Sequence, residues 1–221
     1  MTAGMLFSQM HPPVGEESDF RDWYESEHIP VRLDVPGFAN AVRYEQHGDG
    51  PRYLAVYFLD DMAALDTAEY GRIKQEPSAR TAHMLENVTG FTRYTADLIS
   101  DTGETDPRAA GVLFVVAFEV PVSEEGDFEA WYQGEHVPLL MKVPGWQRIR
   151  RYKTRPGAEG RPWTHFALHE IQDLATLDAP ERAAARDTPL RDELASRPWF
   201  DSGRWNYFPI HYAFSTSKEH S

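Results

Sequence analysis

The stretch Phe20-Arg-Asp-Trp-Tyr-Glu-Ser-Glu-His-Ile-Pro30 is answered by Phe128-Glu-Ala-Trp-Tyr-Gln-Gly-Glu-His-Val-Pro138, at an offset of 108 residues. The match runs without a gap through Val35-Pro-Gly-Phe38 and Val143-Pro-Gly-Trp146 to Arg43-Tyr44 and Arg151-Tyr152, with 11 identities over 25 positions. Weaker echoes follow at Ala64-Leu65-Asp66 and Thr176-Leu177-Asp178, at Glu76-Pro77 and Thr188-Pro189, and at Arg93-Tyr94 and Asn206-Tyr207. The chain therefore reads as one unit written twice. Units of 1–100 and 111–214 are expected, with a polar Gly- and Pro-containing linker at 101–110 and a tail at 215–221.

Within each unit, hydrophobic period and punctuation give a coarse order. Leu6 to Met10 and Val112 to Val120 read as first strands. Helices are expected over Glu17 to Asp34 and Glu125 to Lys142, each acidic in its first turn and stopped by Val-Pro-Gly. Arg43-Tyr44 and Arg151-Tyr152 fall in second strands, and Tyr53 to Leu59 and Thr164 to Ile171 are third strands. Second helices over 61–87 and 173–196 and last strands near 91–99 and 204–214 complete a βαββαβ order, twice. Such a unit makes a four-stranded antiparallel sheet with both helices on one face, leaving the other face to be covered.

The W-Y-x-x-E-H-x-P, V-P-G and R-Y pattern, present in both halves, resembles the dimeric α+β barrel superfamily, especially its EthD-like branch. The resemblance implies an α+β fold of two ferredoxin-like units packing sheet on sheet, here within one chain. It implies no single reaction, because that superfamily includes cofactor-free monooxygenases, cyclases, decarboxylases, isomerases and haem proteins.

Composition narrows the field. With 41% hydrophobic, 13% aromatic and 26% charged residues in 221, the chain has the makings of a folded core. It has no cysteine, which removes disulfides, thiolate metal sites and cysteine nucleophiles and fits a cytoplasmic protein. A net charge of −13 opposes binding to nucleic acid or an anionic membrane. No signal peptide, long apolar span, Gly-x-Gly-x-x-Gly, Walker loop or Gly-x-Ser-x-Gly is present. Histidines at 165 and 169 are four residues apart on one strand, roughly 13 Å, too far to chelate one ion between them, so no metal is expected.

On a helical wheel, Glu27 falls in the middle of the apolar stripe defined by Phe20, Trp23 and Tyr24, with His28 at its edge, one turn after Tyr24. Glu135, His136, Trp131 and Tyr132 repeat the pattern. A carboxylate facing the sheet near a helix C-terminus should have a raised pKa, the tuning a general acid or base needs. The plainer alternative makes each Glu-His a helix-end lock onto Arg43 or Arg151, with Trp23 and Trp131 as core. Tyr53 and Tyr57 share a strand face whose counterpart carries His165 and His169. That face either lines a cavity for a planar oxygenated ligand or meets solvent.

These residues point to a cofactor-independent enzyme on a small hydrophobic, aromatic or polyketide-like carbonyl compound, of cyclase, decarboxylase, dehydratase or isomerase type. His28 or His136 would move the proton, with Glu27 or Glu135 orienting it and Tyr24 or Tyr132 donating to a developing oxyanion. Arg43, Arg151, Trp23, Trp131, Tyr53, Tyr57, His165 and His169 would bind substrate. The alternatives are a haem-binding or oxygen-dependent oxidoreductase on the same fold and a non-catalytic ligand-binding protein. Self-association into a homo-oligomer is left open.

Overall fold

The structure, a computed structural model, describes residues 1–106 and 111–215. Positions 107–110 of the expected linker and 216–221 of the expected tail lie outside the described residues. The chain divides into two compact units. Unit one is Met1–Asp97 with Arg155–Gly160 and the chain from Ile210; unit two is Leu98–Thr154 with Arg161–Pro209.

Unit one begins with β1 (Gly4–His11), an alternation of Met, Leu and Phe that is buried almost throughout. The first helix is interrupted. It runs as α1 (Glu17–Trp23), a π-turn (Tyr24–His28) and α2 (Pro30–Leu33), where an uninterrupted helix to Asp34 was expected. Then come β2 (Phe38–Glu45), β3 (Tyr53–Leu59), α3 (Ala68–Gln75), α4 (Ala79–Asn87) and β4 (Thr89–Gly103). The expected single second helix is broken because Thr67 and Ser78 each cap a new start, accepting from Tyr70 N–H and Thr81 N–H, and Pro77 cannot continue the one before. β1 pairs antiparallel with both β3 and β4, and β2 with β3, giving the order β4-β1-β3-β2.

Unit two repeats the order with β5 (Val112–Phe118), α5 (Glu125–Trp131), a π-turn (Tyr132–His136) and α6 (Val137–Leu140). There follow β6 (Trp146–Thr154), β7 (His165–Ile171), α7 (Pro180–Ala184), α8 (Pro189–Ala195) and β8 (Gly203–Phe214). Here the order is β8-β5-β7-β6, again antiparallel. β4 runs 15 residues, three of them within the stretch read as linker, so Leu98–Gly103 belongs to unit two, where β4 is the hydrogen-bonding neighbour of β6.

The repeated Val-Pro-Gly has a local cause. Gly37 and Gly145 have φ of +102° and +85°, where a side chain is strained. A Cβ would also stand 2.8 Å from Ala64 Cβ at the first and 2.6 Å from Thr176 Oγ1 at the second. In each unit one apolar cluster joins the inner strand faces to the helices: Phe20, Trp23 and Tyr57 belong to the first, Phe128, Trp131 and Ile171 to the second. No helix of the described residues is long and apolar enough to cross a membrane.

Candidate functional site

Pro30 and Pro138 lack the N–H that would close the previous helical turn, and the helix passes each by widening by one residue. Ile29 N–H donates to Tyr24 O, five residues back, at 3.0 Å. Val137 N–H makes the same bond to Tyr132 O. This shift decides where the Glu-His pair points. Glu27 leaves the apolar stripe for the N-terminus of α4, where it accepts from Ser78 Oγ and from Thr81 Oγ1 (2.8 Å). Those bonds, Ser78's first, hold its carboxyl below the usual range, the reverse of the direction the wheel suggests. Glu135 is placed likewise, accepting from Thr188 Oγ1, the cap of α8, at 2.6 Å.

His28 turns inward instead and is 5% exposed. Its ring packs 4.3 Å from Trp23 and 4.8 Å from Tyr24, and Nδ1 has no hydrogen-bond partner. Burial pushes its pKa well below the ordinary value, so the imidazole is neutral. It lines a cavity of about 260 Å³ in unit one, together with Tyr24, Tyr57, Tyr70, Arg32 and Leu6. Tyr57 Oη is buried without a hydrogen bond of good geometry, beside the Tyr24 phenol, and burial raises both phenols. Arg32, 9% exposed, donates to His28 O at 2.7 Å and makes no ion pair among the described residues.

The other unit-one candidates serve the frame of this cavity. Arg43 is 1% exposed, donates to Glu25 Oε1 at 2.7 Å and lies 4.6 Å over the Tyr24 ring. Its partner is thus Glu25, where the lock reading named Glu27. Trp23 Nε1 donates to Thr81 Oγ1 (2.9 Å) and Tyr53 Oη to Glu17 Oε1 (2.7 Å). Every residue of β3 and β7 is buried, so the alternative of a solvent-facing strand face falls.

Unit two has a smaller cavity, about 50 Å³, in the corresponding place. His136 stacks on Trp131 at 4.9 Å and its Nδ1–H donates to Ala185 O at 3.3 Å; burial lowers its pKa to about 4. His169 takes the place of Tyr57. Trp146 Nε1 donates to its Nδ1 (3.2 Å), and its Nε2 lies 3.0 Å from Tyr132 Oη. His165 is held by Thr164 and sits 4.0 Å from Glu129, with its pKa lowered to about 4 by burial. Arg151 is paired with Glu129, not Glu135. His165 and Arg151 line neither cavity. His211 belongs to unit one, 3.7 Å from Glu25.

Sequence reasoning does not single out Arg32, Thr81, or the arginines at 182, 186, 191 and 204 that surround the second cavity. A signal was present for the last group. Arg182 and Arg186 stand four apart, and the second half of the chain carries 14 of the 22 basic residues.

No protein-family model matches the chain, and no curated protein matches it in sequence. Solved structures do. An anthrone oxidase-like protein superposes with a TM-score of 0.70 at 13% identity, covering 97% of this chain and 94% of that one. A protein of Fusobacterium nucleatum provisionally designated a monooxygenase gives 0.66 at 9% identity, covering 96% and 94%. A chlorite dismutase variant from Candidatus Nitrospira defluvii gives 0.64 at 9%, covering 96% and 93%. At these identities the likeness is one of fold: the chain shares, over nearly its whole length, the mixed α+β fold of these proteins.

Proposed function

We propose that the chain is a small-molecule enzyme of the EthD-like branch, working without a cofactor on a one- or two-ring aromatic or polyketide-like carbonyl compound bound in unit one. The observation that carries this reading is His28: a neutral, buried imidazole on the wall of a cavity, with Nδ1 free of any protein partner. A substrate C–H next to a carbonyl would give its proton to that ring, and the electron pair would pass to the carbonyl oxygen as an enolate. Tyr57 O–H donates to that oxygen, and Arg32, a buried cation with no carboxylate of its own, offsets its charge. The imidazolium formed beside Arg32 and Arg43 is costly alone and tolerable once the enolate lies next to it. The enolate then recloses, loses a leaving group or is reprotonated at another carbon. Glu27 acts as a positioning residue, fixing the π-turn against α4.

A second reading shares the first step. The names of the structural neighbours include an oxidase-like protein and a monooxygenase, and an enolate of this kind is the species that would pass electrons to dioxygen. The haem alternative asks for a slot wider than either cavity: about 260 Å³ falls below the roughly 300–1,000 Å³ of drug-sized sites and far below what a tetrapyrrole needs. In this proposal the protein works in the cytoplasm, with no nucleic-acid or membrane partner.

The test is solvent deuterium exchange at acidic C–H positions of a panel of aromatic ketones, followed by proton NMR with and without oxygen. The wild-type chain should exchange at least one member, and His28→Asn should lose about 100-fold or more in rate at unchanged melting temperature. Oxygen consumption in parallel selects the second reading. Exchange that survives His28→Asn would remove the histidine from the chemistry.

A further inference from the structure

We propose that the cavity of unit two is a binding site for an oxyanion, the carboxylate or phosphate group of a small molecule, built from Arg182, Arg186, Arg191 and Arg204 with Trp131 and Tyr132. These six all line the cavity. The arginines come from α7 and the turn after it, from α8 and from β8, so three segments of unit two converge on one point.

Four guanidinium groups around a cavity lined by no carboxylate are unusual in a chain with 35 acidic residues and a net charge of −13; Asp178, Asp192 and Asp201 act on them from outside its lining. Elsewhere in unit two arginines are matched: Arg148 with Asp101, Arg151 with Glu129, Arg197 with Glu124 and Asp127. In the cavity, Arg186 and Arg204 make no side-chain hydrogen bond or ion pair among the described residues. Arg182 donates to the Leu177 carbonyl at 2.6 Å, and the one acid within reach of Arg191 is its exposed neighbour Asp192, at 3.8 Å. Burial, and then the charge of Arg186, push the guanidinium pKa of Arg182 and Arg191 down, and Arg204 is affected the same way. Self-repulsion of this kind is a cost to the empty protein that an anion removes.

Two further donors face the same space. Trp131 Nε1, buried, has no hydrogen-bond partner, although its counterpart Trp23 donates to Thr81. Arg191 holds the position three residues after the cap that Thr81 holds in unit one. Tyr132 is oriented by a relay. Because Trp146 N–H donates to Nδ1 of the neutral His169, the ring hydrogen sits on Nε2 and donates to Tyr132 Oη, leaving the phenolic hydrogen for an acceptor in the cavity. Cations, an indole N–H and a phenol O–H around about 50 Å³ suit one small oxyanion, and the walls of Phe114, Phe118 and Phe200 suit an apolar body behind it.

The experiment titrates inorganic phosphate and, separately, benzoate at constant ionic strength, reading melting temperature and heat of binding. Saturable binding of at least one anion is expected, with phosphate alone or benzoate alone naming the source of the charge. Arg186→Gln and Arg204→Gln should each weaken it by tenfold or more, and His28→Asn should leave it unchanged. Without anion, Arg186→Gln should melt at the wild-type temperature or above, since it relieves repulsion. No saturable response to either anion, an equal response in both arginine variants, or an Arg186→Gln protein several degrees less stable when anion-free would each overturn the proposal.

Discussion

Acidification from pH 8 to pH 5.5 should remove much of the stability of this protein, before its carboxylates titrate. Four histidines are held neutral by burial: His28 and His169 well below the ordinary pKa, His136 and His165 at about 4. In the unfolded chain each titrates near 6.5. A folded pKa below the unfolded one means that the unfolded chain takes up protons the folded chain refuses. The contribution is therefore whole above pH 6.5 and is lost as pH falls toward the folded value. At pH 5.5, one unit below the unfolded pKa, each histidine costs about 1.4 kcal/mol, and the four together about 5 to 6 kcal/mol. A domain of ordinary stability has only about 5–15 kcal/mol to lose. The depressed carboxylates, Glu17, Glu27 and Glu124, act in the same direction only below pH 4.5 and lie outside this window. Urea unfolding followed by tryptophan fluorescence at pH 8, 7, 6.5, 6 and 5.5 measures the slope. A change below about 1 kcal/mol across that range would refute the linkage reasoning, and His165→Gln should flatten the slope by about a quarter.

Three further outcomes are expected. Tyr57→Phe removes a buried hydroxyl that has no good hydrogen bond, so chemical denaturation should show stability within about 0.5 kcal/mol of wild type, while deuterium exchange on the ketone panel falls at least about tenfold. Thr188→Val takes away both the α8 cap and the bond to Glu135 and should cost about 1–2 kcal/mol, read as a lower urea midpoint. Gly145→Ala, at φ +85° and against Thr176 Oγ1, should lower the melting temperature by several degrees, corresponding to about 1–2 kcal/mol.

The sequence carries the element order because the repeat supplies two independent readings of one pattern. Val-Pro-Gly stops both first helices, and Ser78 and Thr188 cap helices at matching positions. Periodicity puts His28 only at the edge of the apolar stripe and leaves the face of Tyr57 open between a cavity and solvent, and both residues line the cavity of unit one. Periodicity misplaces Glu27. A wheel assumes 100° per residue throughout, and the π-turn that contains Glu27 widens the helix by one residue, which moves the carboxylate to the flank and the cap of α4. The arginine cluster is hidden for a different reason. Its members are scattered over 23 residues on short helices, a turn and a strand, where single charges ordinarily read as solvated, and only their convergence in space makes them a group.

The widened turn makes the position of His28 a matter of counting. Seven residues precede it as α1 and four follow as α2, out of phase by one step. Deleting Ser26, an exposed serine with no apolar surface to lose, would restore the ordinary helical phase and swing everything before or after it by about 100°. The imidazole and the cavity wall would part company with net charge untouched. In this segment the length of the chain, more than the chemistry of any one side chain, sets whether the site exists, and a library of single-residue insertions and deletions across Tyr24–His28 would reveal more than one of substitutions.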